Sequence, residues 1–175
     1  MRLALALLVV PSLAHAERFT LGASAGLHYF DSSSQPATDT LGLFARARVT
    51  PRLGIQAELQ RVDAGQNASD LRETALLVVE LSANPRWVPI LVAGGGLEQY
   101  SLFGGQANAH HFEGGFGLEY RANGGFVLGA DARTGGRTID SMPNVPIGID
   151  AWPTYYSANR DGQYYSGRLY VAAAF

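Results

Sequence analysis

Hydrophobic residues recur at every second position in a series of separate stretches along this chain. Phe19, Leu21, Ala23, Ala25, Leu27 and Tyr29 alternate with Thr20, Gly22, Ser24, Gly26 and His28. From Thr40 to Val49, Leu41, Leu43, Ala45, Ala47 and Val49 oppose Arg46 and Arg48; from Leu53 to Gln60, Leu53, Ile55, Ala57 and Leu59 oppose Gln56, Glu58 and Gln60. The pattern returns over Arg72 to Leu81, His110 to Tyr120, Phe126 to Arg133 and Tyr165 to Phe175. In these, Thr74 and Glu80, Glu113 and Glu119, Asp131 and Arg133, and Arg168 and Tyr170 lie opposite the apolar set. Trp87 to Gln99 is apolar on both faces, with Gly94-Gly95-Gly96 at its centre, and Leu76 and Val78 blur the stretch before it. A side-chain period of two belongs to β-strands, and clusters of Gly, Pro, Asn, Asp and Ser between the stretches mark turns.

Eight strands make an even count, and most are near the length a tilted strand needs to cross a bilayer. The connections near 31–39, 61–70, 100–109 and 134–164 are long and polar, whereas those near 50–52, 82–86 and 121–125 are short. That alternation predicts an all-β chain: an eight-stranded antiparallel up-and-down transmembrane β-barrel, with short turns at one rim and long loops at the other. A soluble lipocalin-type barrel has the same strand count with apolar residues inside, and alternation alone does not say which face is which. Two features favour the inverted arrangement. A strand closes on Phe175, and aromatic residues gather at strand ends as Phe19, Tyr29, Trp87, Tyr100, Tyr120, Phe126, Tyr165 and Phe175, as in interfacial girdles.

The first 16 residues read as a cleaved secretory signal peptide, with Arg2, an apolar run from Leu3 to Val10, and Ala14-His15-Ala16 as the cleavage site. Residues 17–175 then form one outer-membrane barrel domain, and both termini are expected in the periplasm. The chain has no cysteine, which excludes disulfides and Cys-ligated metal centres. The formal net charge is −2 and no basic patch marks a nucleic-acid partner.

The C-terminal stretch Gly167-Arg168-Leu169-Tyr170-Val171-Ala172-Ala173-Ala174-Phe175 resembles the β-signal of outer-membrane proteins. Trp87 to Gly96 and Phe112 to Tyr120 resemble the fifth and sixth strands of the outer-membrane β-barrel domain family of OmpA/OmpX-like architecture. The resemblance spans the mature chain. It implies residence in the bacterial outer membrane, lipid and lipopolysaccharide as surroundings, and insertion by the barrel-assembly machinery. It also implies that Leu169, Val171, Ala173 and Phe175 are the assembly signal.

The interior of an eight-stranded barrel is just wide enough for side chains to fill it. The inward candidates are Arg46, Arg48, Gln56, Glu58, Gln60, Arg72, Glu80, Glu113, Glu119, Asp131, Arg133 and Arg168. Buried charges of both signs must pair, so the expectation is a salt-bridge network that plugs the lumen, with a narrow ion pore as the alternative. His110 and His111 are adjacent and face opposite ways on a strand; His111 shares a face with Glu113. Outer-membrane lipid A deacylases carry a local His-x-Ser-Asn pattern that is missing here, and no catalytic residue, cofactor or metal site is expected. The 134–164 loop contains Met142-Pro143-Asn144-Val145-Pro146-Ile147 and Trp152-Pro153-Thr154-Tyr155-Tyr156, which suit an extracellular ligand or the barrel mouth. The reading is a non-enzymatic barrel with an envelope-structural or surface-interaction role, against a lipid-modifying enzyme or a narrow channel.

Overall fold

The computed structural model describes residues 19–30, 37–63, 68–82, 86–102, 105–140 and 162–175. The leader at 1–16, the Met142–Ile147 and Trp152–Tyr156 segments, and the side chain of Tyr100 lie outside the described residues. Eight strands follow one another: β1 (Phe19–Phe30), β2 (Thr38–Thr50), β3 (Leu53–Asp63), β4 (Ala68–Glu80), β5 (Trp87–Leu102), β6 (Gly105–Arg121), β7 (Phe126–Ile139) and β8 (Gly162–Ala174). Each pairs antiparallel with its sequence neighbour, and β1 pairs with β8, so the expected barrel is closed. The seam is complete at its rim: Phe19 donates to the Phe175 carbonyl at 3.0 Å and Phe175 returns the bond at 2.9 Å. Closure leaves no strand edge with unpaired backbone groups.

The two faces of the sheet are chemically inverted relative to a soluble barrel. Leu41, Phe112, Phe116 and Leu169 point outward and are 67%, 70%, 68% and 69% exposed, while Glu58, Arg133 and Glu119 point inward and are 5%, 4% and 1% exposed. The alternation therefore sets apolar side chains outside and ionisable ones inside.

At the long-loop end the strands run further than the hydrophobic pattern indicates. β4 begins at Ala68, β5 reaches Leu102, β6 starts at Gly105 and β7 continues to Ile139. The connection expected over 100–109 is thus mostly paired strand. Gln99, Asn108, Thr134 and Thr138 are exposed on these extensions. The outward face is polar there and the inward face mixes Asp70 and Arg137 with Ala107 and Ala109, so the period-two contrast that marks a strand weakens although the ladder continues.

The short turns have visible local causes. Between β6 and β7, Ala122 donates to the Phe126 carbonyl at 2.8 Å, and Gly124 and Gly125 adopt φ of 86° and 79°. Residues with side chains rarely adopt that region, which is why two glycines sit there. Between β2 and β3, the Thr50 hydroxyl accepts from the backbone N–H of Leu53 at 3.0 Å.

Inside, Leu76, Val78, Val88, Ile90 and Val92 are buried. This inward apolar cluster explains why β4 and β5 read as apolar on both faces. Opposite it, Phe44 and Tyr170 meet edge to face with ring centroids 5.5 Å apart. Gly22 lies beneath the Phe44 ring and Gly129 beneath that of Tyr170, where an added Cβ would strike the aromatic carbons. Gly129→Val is accordingly expected to destabilise the barrel by about 1–3 kcal/mol through overpacking. Its midpoint in a urea titration should fall, and an unchanged midpoint would mean that Tyr170 is free to move aside.

Candidate functional site: the charged lumen

Among the described residues, Arg46, Arg48, Arg72, Arg121, Arg133, Arg137 and Arg168 face the lumen with Glu58, Asp70, Glu80, Glu98, Glu113, Glu119 and Asp131. Seven cations thus meet seven anions. The chain contains no lysine. Arginine presents a planar fork of donors that grips carboxylates two bonds at a time, which suits a crowded interior.

The network falls into three tiers along the barrel. Nearest the short turns, Glu80 accepts from Arg121 at 2.7 Å and from Arg48 at 3.0 Å. Glu119 accepts from Arg46 at 2.5 Å, from Arg121 at 2.9 Å and from the Tyr170 hydroxyl at 3.0 Å. Arg46 also donates to Gln56 at 2.6 Å, and Gln56 donates onward to Glu58.

The middle tier is the tightest. Arg133 and Arg168 both chelate Glu58, at 2.8 and 3.0 Å and at 2.8 and 3.1 Å respectively. Both also hold Asp131, at 3.1 Å for each Arg133 bond and at 2.6 and 3.0 Å for Arg168. Arg133 reaches a third carboxylate, Glu113, at 2.5 Å. Gln60 donates to Glu58 at 2.7 Å and the Tyr164 hydroxyl to Glu113 at 2.9 Å. Four strands, β3, β6, β7 and β8, are cross-braced through the interior by these bonds.

The upper tier, toward the long loops, is looser. Arg72 lies 3.4 Å from Glu98, and Arg137 lies 3.3 Å from Glu98 and 3.6 Å from Asp70. Tyr164 stacks on His28 with centroids 4.6 Å apart and lies under the Arg72 guanidinium at 4.6 Å. Thr74 bonds His111 at 3.0 Å. Arg72 Nε and Nη2, both Glu98 carboxylate oxygens and His111 Nδ1 are buried with no hydrogen-bond partner among the described residues.

Of the residues singled out by parity, Arg46, Arg48, Gln56, Glu58, Gln60, Glu80, Glu113, Glu119, Asp131, Arg133 and Arg168 fall in the lower and middle tiers, and Arg72 falls in the upper tier. Arg121, Asp70, Glu98, Arg137 and Tyr164 complete the lumen and were not singled out. Their parity is the available signal, since each continues the inward face of its strand. His111 and Glu113 share the inward face, while His110 points outward and bonds Asp140 at 2.7 Å. Among the described residues, no group of three or more His, Asp or Glu is placed to hold a metal ion.

Leu169, Val171 and Ala173 face outward on β8, opposite Ala25, Ala23 and Leu21 of β1 and Ala130, Leu128 and Phe126 of β7. Phe175 is 63% exposed.

No protein-family model matches the chain, and no curated protein matches it by sequence. Solved structures do. Neisserial surface protein A is 16% identical, covers 90% of this chain and 97% of its own, and gives a TM-score of 0.68. The N-terminal β-barrel domain of Pseudomonas aeruginosa OprF is 11% identical over 89% of this chain and 97% of its own, with a TM-score of 0.60. The outer membrane enzyme PagL is 17% identical over 89% and 99%, with a TM-score of 0.51. At such identities the likeness is one of fold. This chain has the eight-stranded barrel fold of small outer-membrane proteins.

Proposed function

We propose that this chain is an integral outer-membrane protein without catalytic activity, serving envelope structure or surface interaction through its long-loop end. One observation carries the membrane reading: the outward face is a belt of leucine, phenylalanine, valine and alanine, and the charges are inside. In water such a surface would aggregate, because soluble monomers rarely expose contiguous apolar patches of this extent. In a bilayer it is the surface that costs least, and every backbone group of the closed sheet is paired within the wall. The middle tier supports a plugged lumen, since Arg133 and Arg168 span the interior to shared carboxylates. The chain orients with the short turns and both ends of the barrel toward the periplasm, and the long loops outward.

The test has two parts. Purified protein should float with phospholipid vesicles and show a heat-dependent shift on a gel; recovery as a soluble monomer would overturn the membrane reading. In planar bilayers it should give no stable conductance steps, and regular steps would favour the narrow channel. We further propose that Leu169, Val171, Ala173 and Phe175 form the assembly signal. Removing Phe175 is expected to lower the folded, heat-modifiable fraction in cells several-fold, and normal assembly would refute that role.

A second reading, a lipid-modifying enzyme, is favoured by the His110–Asp140 pair on the outer wall. Directly across from His110 stands Thr138, not serine, and Phe112 occupies the next outward position on its strand. Incubation with lipopolysaccharide is expected to leave its mass unchanged; a mass loss that disappears in His110→Ala would establish the enzyme instead.

A further inference from the structure

Charge is not spread evenly from one end of the barrel to the other. In the lower tier Arg46, Arg48 and Arg121 share two carboxylates, Glu80 and Glu119. Two more arginines, Arg52 and Arg86, are exposed in the turns that join β2 to β3 and β4 to β5. The backbone ties these turns to the tier. The Glu80 N–H donates to the Arg52 carbonyl and the Arg121 N–H to the Arg86 carbonyl, both at 2.8 Å. Glu80 and Glu119 are buried, and among the described residues the short-turn rim exposes no carboxylate. The long-loop end has the reverse sign: Asp39, Asp63, Glu73 and Asp140 are exposed there against Arg61.

The positive surplus sits at a defined depth. Arg48 adjoins Val49, Arg52 adjoins Leu53, Arg86 adjoins Trp87 and Arg121 adjoins Tyr120. Val49 and Trp87 are outward and 58% and 53% exposed, and the rings of Trp87 and Tyr120 meet with centroids 4.9 Å apart. Tryptophan and tyrosine mark the level at which hydrocarbon gives way to headgroups. These four arginines therefore stand beside the edge of the apolar belt, where a long side chain lays its methylenes on the wall and its charge among headgroups. Arg48 and Arg121 keep 26% and 17% of their side chains exposed although both bind Glu80. The arc runs from β2 to β6, and the rest of the rim carries Phe19, Phe126 and Phe175.

We propose that this arc gathers anionic phospholipids, phosphodiesters that carry no ammonium group, from the periplasmic leaflet. Arg52 and Arg86 supply the exposed charge, and Arg48 and Arg121 add the donors that Glu80 leaves unused. Trp87 and Tyr120 lie against the upper acyl carbons. A zwitterionic headgroup brings its own cation to a surface already positive, so it competes poorly. An acidic polymer in the periplasm would be met by charges projecting beyond the belt, whereas these stand level with its edge. The proposal rests on the membrane reading and orientation above, and names a lipid class for one rim of the barrel.

The test uses the whole protein in nanodiscs holding equal parts of phosphatidylglycerol and phosphatidylethanolamine with identical chains, read by native mass spectrometry. Both leaflets of such discs have one composition, so the result does not depend on orientation. The retained lipids should be enriched in phosphatidylglycerol about fivefold, the effect of one arginine near an anionic surface. The double variant Arg52→Gln with Arg86→Gln should bring the ratio near one. Arg61→Gln, at the long-loop end, should leave it unchanged, with the heat shift on a gel confirming that each variant folds. Equal retention by the unaltered protein, a preference that survives the double variant, or one lost equally in Arg61→Gln would overturn the proposal. Binding of soluble peptidoglycan fragments that the double variant abolishes, without lipid preference, would overturn it in favour of an acidic wall polymer. Failure to float with vesicles would count against the membrane reading itself; flotation without selective retention would count only against this rim.

Discussion

Arg133→Ala is expected to destabilise the barrel by about 3–5 kcal/mol, the cost of breaking a buried ion pair by removing one partner. Arg133 holds Glu58, Asp131 and Glu113 at once, and its side chain is 1% exposed. Without it, Arg168 is the one cation bonded to Glu58 and Asp131 among the described residues, Gln56 and Gln60 still donate to Glu58, and Glu113 keeps the Tyr164 hydroxyl. Three carboxylates then share one arginine in a space that water enters poorly. Urea unfolding in vesicles, followed by tryptophan fluorescence, measures the loss. The double variant Arg133→Met with Glu113→Gln removes one charge of each sign and should recover part of it, because neighbouring charges are not additive. A loss below about 1 kcal/mol for the single variant would mean that the middle tier is hydrated and compliant.

Leu77→Arg should cost about 2–4 kcal/mol when the protein folds into lipid. Leu77 is outward and 46% exposed, in the apolar outward run of β4 between Ala75 and Val79. Hydrocarbon offers its guanidinium no partner, and the lumen side of that strand is taken by Leu76 and Val78. The same substitution at Val49, at the short-turn end of β2, should cost about 0–1 kcal/mol, because the penalty falls near the interface. Equal costs at the two positions would show that the wall does not sense depth.

The faces of the sheet were legible from residue parity, because an apolar belt on one side makes period two audible against a polar lumen. That is why Arg46, Glu58, Glu113 and Arg133 could be set inside before any coordinates. The same physics hid part of the upper tier, although Arg72 was legible. Asp70, Arg137 and Tyr164 lie on strand extensions or near them, where outward neighbours such as Ser69 and Thr138 are themselves polar. With a polar outward face the contrast weakens, and the segment reads as loop. β5 was obscured for the opposite reason: Val88, Ile90 and Val92 are apolar inside as well as out. Partner choice was not legible at all. Parity says that Glu58 faces inward, but only the register and stagger of eight strands bring it to Arg168, 110 residues away in sequence.

The orientation of side chains about the wall can be read directly, because the chain has no cysteine to interfere. Single cysteines placed in turn at positions 74 to 79 on β4, spin-labelled in lipid vesicles, report collision with oxygen dissolved in the bilayer. Labels at 75, 77 and 79 should show high oxygen accessibility and those at 74, 76 and 78 low, a strict period of two. The reverse phase, or accessibility that does not alternate, would contradict a barrel that turns its hydrocarbon to lipid and its charges to the lumen.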